Sequence, residues 1–215
     1  MRHSILITAY NEEKLLCRCL ESINKQSVKP LTQLLIDDGS TDATSEIAAK
    51  YGFPVHYISK PKYNEPHKNR CRAFITGFEK LEQDPWLFLL KVDSDIVLPI
   101  DYVEKLLETM QDREIGVASG ASPEYKVKRG ISNGAVLYRR EALTIPLMIY
   151  GWDRLLALNA MKAGYRLYSH PTLRYHELRP PRVKRPPLTR LMKNHIENTV
   201  LRIYSEWAAP RRDNC

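Results

Sequence analysis

The sequence predicts one α/β domain, a mostly parallel sheet with helices on both faces, and two observations predict it. Short apolar, β-branched runs alternate with segments of helical periodicity through the first half of the chain. Each run also stops at a polar, turn-forming cluster, as strands do when a loop must follow.

Taken in order, strands are expected at Ser4 to Thr8, Gln33 to Asp37, Val55 to Ser59 and Trp86 to Val92. Between them, helices are expected at about Glu12 to Lys25, Ala43 to Tyr51 and Lys68 to Glu82. A helix near Tyr102 to Asp112 and a strand at Ile115 to Ser119 continue the alternation. After Gly130 the texture is α+β: a strand at Gly134 to Arg139, a helix at Trp152 to Ala163, and one or two strands from Tyr165 to His176 around Pro171. The run from Arg179 to Pro187 holds four prolines and cannot be helical, so it should run as an extended basic arm.

Length and composition narrow the classes. A chain of 215 residues supports one sizeable core. With 43% hydrophobic and 27% charged residues, disordered and collagen-like readings are excluded. The longest apolar stretch, Trp86 to Leu90, is too short to cross a bilayer, and Met1-Arg2-His3 leads into a strand without a secretory apolar region. The expected location is therefore cytoplasmic, with the option of a peripheral position at the inner face of a membrane. Cys17, Cys19, Cys71 and Cys215 fit no zinc spacing and read as reduced thiols. The net charge of +8 is uneven: from Arg166 onward, eleven Lys and Arg stand against four Asp and Glu, so the basic character belongs to the C-terminal end.

In an open parallel sheet, ligands bind beyond the carboxyl ends of the strands. Here the first strand ends in Thr8-Ala9-Tyr10-Asn11-Glu12-Glu13, the second in Asp37-Asp38-Gly39-Ser40-Thr41-Asp42, and the fourth in Asp93-Ser94-Asp95. Asp38 to Asp42 also has the composition of a turn and helix N-cap. The shared edge is what points to function, because neighbouring carboxylates are costly unless cations or hydrogen bonds compensate. A Mg2+ or Mn2+ ion held by one or two Asp and by phosphate oxygens supplies that compensation. The chain has neither a P-loop nor a Gly-x-Gly-x-x-Gly fingerprint, so nucleotide hydrolysis of that type and dinucleotide binding are not supported.

With these three motifs in this order, residues 4 to about 176 resemble glycosyltransferase family 2, enzymes of the GT-A fold with a Rossmann-like sheet. The resemblance implies a catalytic domain over 1–178, with a nucleotide-binding half over 1–100 and an acceptor half over 101–178, followed by a basic arm and helix over 179–215. It implies nucleotide contacts from Thr8, Ala9, Tyr10, Asn11, Glu12, Asp38, Asp93 and Ser94, with the Tyr10 ring near the base and Asp38 bonded to it. Arg70 looks like the family's basic residue at the nucleotide, and serves equally as an exposed helix charge. Asp95 is implied as a ligand of Mg2+ or Mn2+, with His176 as an additional one.

The segment Ser132-Asn133-Gly134 resembles the family stretch beneath the donor sugar, where a small residue leaves room, and would also make a hairpin turn. Asp153 stands where the family has its catalytic base, with Trp152 replacing the usual Glu on the acceptor side. The same Asp suits a first helical turn for dipole reasons alone. The activity implied is inverting, metal-dependent transfer of a sugar from a nucleotide-diphosphate donor, UDP-linked by expectation, to an acceptor hydroxyl the sequence does not identify.

Two other classes remain as alternatives: a sugar-phosphate nucleotidyltransferase, and a non-catalytic nucleic-acid-binding module. The first lacks its Gly-rich basic loop, and in the second no aromatic residues interleave with the basic arm, so no nucleic-acid partner is expected. From Leu188 to Trp207 apolar residues recur at helical spacing, which predicts a C-terminal amphipathic helix. With the arm, it is expected to favour an anionic membrane surface and a lipid-linked acceptor.

Overall fold

The apolar runs form a sheet buried on both faces, because side chains alternate along a strand and here both sets are apolar. A computed structural model describes residues 1–59, 66–121, 131–145 and 151–179. Met1–Arg179 form one compact unit. The arm beyond Arg179 and the C-terminal helix expected from the sequence lie outside the described residues.

In chain order the strands are β1 (His3–Ala9), β2 (Thr32–Asp37), β3 (Val55–Tyr57), β4 (Phe88–Asp93), β5 (Ile96–Val97), β6 (Ile115–Ala121), β7 (Ala135–Arg139), β8 (Arg166–Arg174) and β9 (His176–Glu177). The helices are α1 (Leu16–Asn24), α2 (Thr44–Lys50), α3 (Pro66–Leu81), α4 (Tyr102–Thr109) and α5 (Trp152–Lys162). Seven strands make one sheet in the order β3-β2-β1-β4-β7-β6-β8, and β5 pairs with β9 in a small second sheet. In the large sheet β7 alone runs antiparallel to its neighbours.

Two cores flank the sheet. Ile5, Ile7 and Ala9 face the layer of α1, α2 and α4, where Leu16, Leu20, Ala48 and Leu106 are buried. Leu6, Leu34, Ile36 and Leu89 face the layer of α3 and α5 with Phe74, Phe78 and Trp152. Helix α3 lies so close to β1 that a Cβ on Gly77 would stand 2.3 Å from Leu6 Cδ1, so any larger residue there would have to displace the Leu6 side chain.

Register then sets the site. Thr8 is level with Ile36 of β2 and Asp93 of β4, so the ends of three parallel strands share one edge. Because β7 is reversed, the residues just before it, Asn133 and Gly134, arrive at that same edge. Two details depart from the sequence expectation. Helix α1 starts at Leu16 and not near Glu12, and the two-residue pairing of β5 with β9 had no signal in the sequence.

Candidate active site

The loops after β1 and β2 are knitted together by side chains. Asn11 takes a left-handed backbone (φ 52°), a conformation Asn tolerates better than most residues. Its carboxamide oxygen accepts from the Thr41 amide at 2.9 Å, and its own amide donates to Ser40 Oγ at 2.9 Å. The Glu12 amide donates to Thr44 Oγ1 at 2.8 Å. These bonds hold residues 12 to 15 as a turn, which is why α1 begins late. Asp37 and Asp42 are occupied within the β2 loop, accepting from the Ser40 amide at 2.7 Å and the Thr44 amide at 3.0 Å.

Thr8 and Ala9 end β1 beneath this loop, and Tyr10 is 41% exposed at its rim. Buried Asp38 accepts from Arg72 Nη2 at 2.7 Å, and Arg72 Nη1 also reaches the Ser59 carbonyl at 2.9 Å. Arg72 is thus a cation beside Asp38, and Arg70, on the other flank of Cys71, is exposed. Two residues apart on α3, the two arginines are separated by about 200° around the helix.

The Asp93-Ser94-Asp95 turn carries a different cation at each carboxylate. Lys91 Nζ lies 2.6 Å from Asp93 Oδ1. Arg179 Nε lies 3.2 Å from Asp95 Oδ2, and its Nη2 bonds buried Glu12. The short β5–β9 pairing makes this possible, since it sets His176 opposite Val97 and lets the Leu178 amide donate to the Asp95 carbonyl at 2.8 Å. Ser94 is buried between the two acids, and His176 is exposed. Burial raises the Glu12 pKa above its ordinary value; Arg179 opposes the rise and Asp95 adds to it. Burial likewise raises that of Asp93, against Lys91 and with Asp95 and Asp153 adding to it. Among the described residues no three His, Cys, Asp or Glu side chains form a ready-made metal cage.

Across the edge, Asn133 Nδ2 donates to Asp153 Oδ2 at 2.9 Å, placing that carboxylate in the first turn of α5. Gly134 packs against Tyr175: a Cβ there would stand 2.7 Å from the Tyr175 hydroxyl, which accepts from the Gly134 amide at 3.1 Å. Trp152 is 8% exposed and its ring lies 4.9 Å from that of Phe74, so it belongs to the core under α5. Lys91, Arg72, Arg179 and Tyr175 are the site residues that the sequence reading missed. A signal existed for Lys91, the one charge inside the apolar run of β4 and on the face of Asp93.

A sheet of this order, with acidic loops on its carboxyl edge, defines the GT-A class. The mannosyltransferase PcManGT from Pyrobaculum calidifontis, solved with GDP-Man and Mn2+, matches with a TM-score of 0.68 at 18% identity over 84% of this chain and 58% of that one. S. aureus TarS, residues 1–349, solved with UDP-GlcNAc, matches at 0.63 and 20% identity over 84% and 59%. The family described as glycosyl transferase family 2 matches residues 4–160, and the chain belongs to it. An N-acetylglucosaminyltransferase of Bradyrhizobium elkanii is 32% identical over 54% of this chain and 63% of that protein. Chondroitin synthase of Escherichia coli is 30% identical over 68% of this chain and 21% of that protein. The chain spans less than two thirds of the length of either relative.

Proposed function

We propose that the chain is an inverting glycosyltransferase that moves a sugar from a UDP-linked donor to an acceptor hydroxyl in one in-line displacement. The observation that carries this reading is the Asp153 carboxylate, held by Asn133 on the same sheet edge as Asp38 and Asp93. Asp153 takes the proton of the acceptor hydroxyl as the oxygen forms its bond to the anomeric carbon. The bond from that carbon to the donor's diphosphate oxygen breaks, and its electron pair leaves with the nucleoside diphosphate. Asp38, braced by Arg72, and Tyr10 bind the nucleoside. A UDP-linked donor is consistent with the related N-acetylglucosaminyltransferases and with the UDP-GlcNAc bound by TarS.

The residues present fit a divalent cation. Arg179 already sits as a cation between Glu12 and Asp95, and hard oxygens from one or two Asp, completed by phosphate, are what Mg2+ or Mn2+ uses. Asp95 would hold the ion and His176, on the adjoining strand, could join it. Such an ion, when bound, supplies Lewis-acid stabilisation of the leaving diphosphate.

The test pairs binding with turnover. Thermal shifts with UDP-, GDP- and dTDP-sugars in Mn2+ identify the donor, since a ligand that binds the folded state raises its stability. Asp153→Asn keeps the shape without the basicity, so the shift should persist while transfer falls by roughly 10²- to 10⁴-fold. Near-normal transfer by that variant would remove Asp153 from the mechanism.

A further inference from the structure

Lys91 interrupts the apolar run of β4, and its residue is only 5% exposed. Burying an ammonium group is unfavourable unless it is paired and hydrogen-bonded. Its position on the strand explains the first partner: residues i and i+2 share a face, so Lys91 lies directly under Asp93, 2.6 Å from Oδ1.

The second partner is on another strand. Lys91 Nζ also donates to the Asn133 carbonyl at 2.8 Å, and it is the Asn133 side chain that holds Asp153. The Asp93 amide donates to the Gly134 carbonyl at 2.8 Å, which ties the same two segments through the backbone. The ring of Trp152, next to Asp153 in the chain, lies 5.9 Å from Nζ. Neutralising Asp93 requires only the first contact. The others connect the carboxylate that ends β4 with the residue that aims the base.

We propose that Lys91 is a positioning residue for sugar transfer, fixing Asp93 and the Asn133–Asp153 pair as one unit so that the donor and the base keep their spacing. This rests on the reading of Asp153 as the base. Lys91 itself exchanges no proton and forms no bond; it acts through Asp93 and Asn133.

The experiment uses the full chain with Mn2+ and, as donor, the nucleotide sugar giving the largest thermal shift; release of nucleoside diphosphate is followed. Lys91→Met, which keeps the stem and loses the charge, should lower kcat on the order of 10²-fold, the effect of a misplacement of about 1 Å. KM for the donor should change less than about 3-fold, since uniform binding is not what is lost. Asn133→Ala should also lower kcat, and the double variant should fall little below the worse single one, because both act on one unit. Lys91→Arg, able to span both partners, should recover most of the loss. If Lys91→Met does not fold, Lys91→Gln carries the same comparison.

A kcat within about 3-fold of wild type in the Met or Gln variant, or losses that simply multiply with Asn133→Ala, would overturn the proposal. The two readings fail differently. If Asp153→Asn retains full turnover, the reading of Asp153 as the base falls and this one with it; if no nucleotide sugar shifts the wild type, the donor reading falls. If Asp153→Asn collapses while Lys91→Met is unaffected, only the role of Lys91 falls.

Discussion

The two edges of the sheet use most of their cations differently, although exposed Arg166 at the amino edge also pairs with Asp112 and Glu114. At the amino edge, Arg139 donates to the Met110, Asp112 and Ile115 carbonyls at 2.6, 3.0 and 3.0 Å. Arg140 donates to the Glu82 and Asp84 carbonyls at 2.5 and 2.7 Å with its guanidinium 4.5 Å from the Trp86 ring centre. These arginines satisfy carbonyls left open where α3 and α4 end, and they complete the fold. At the carboxyl edge, Arg72, Lys91 and Arg179 each face a carboxylate instead. Burial there raises the pKa of Glu12, so this acid is held against its solvation preference. One edge is arranged for stability, and the other keeps charge that folding does not require, which is the usual mark of a functional site.

The largest effect that tests this contrast is at Asp95. Asp95→Ala should lower turnover by roughly 10²- to 10³-fold, the range for loss of one preorganised charge-stabilising group, and should abolish the Mn2+-dependent part of nucleotide binding. Its melting temperature should not fall, since the like charge beside Glu12 is removed. A variant that is active, or active wild type in excess EDTA, would break the assignment of the carboxyl edge. The next effect is at the amino edge. Arg140→Ala should destabilise the fold by about 1–3 kcal/mol, through lost carbonyl bonds and ring contact, and leave the donor's thermal shift unchanged. A normal denaturation midpoint with impaired donor binding would reverse the roles of the two edges.

The fold was legible because its signal is periodic. Runs such as Ser4 to Thr8 and Gln33 to Asp37 carry strand character locally, and the structure extends each by a residue or two. What local pattern cannot carry was missed. The start of α1 is set by Asn11 bonding across to Ser40 and Thr41, thirty residues away in sequence. The β5–β9 pairing joins residues about eighty apart and only two long, too short for any alternation to show. The edge that gathers Asp38, Asp93, Asn133 and Asp153 was readable from strand ends and motifs. The partners of those residues were not. Arg70 and Arg72 flank Cys71 symmetrically, and only the placement of α3 over β1 and β2 turns Arg72 towards Asp38. The contact of Gly134 with Tyr175, forty-one residues later, likewise had no local signal.

The smallest effect is titration at the start of β1. His3 is 1% exposed, its Nδ1 lies 3.4 Å from the Met1 carbonyl, and its Nε2 has no hydrogen-bond partner among the described residues. Burial lowers its pKa below the ordinary 6.5. Between the folded value and 6.5 the unfolded chain therefore binds more protons, so stability should fall as pH drops below 6.5 and level off beneath the folded pKa. One proton sets the limit, a slope of at most about 1.4 kcal/mol per pH unit. Glu12 and Asp93 act with the opposite sign: their folded pKa values are raised, so in their own window, above the ordinary 4.5 and 3.8, stability falls as pH rises. Urea midpoints of the wild type and of His3→Leu, compared at pH 7.5 and at pH 5.5, separate the two contributions. The leucine variant should lose the acid-side decline that His3 causes while keeping whatever the carboxylates contribute. Equal pH profiles for the two proteins would mean that His3 does not titrate differently on folding.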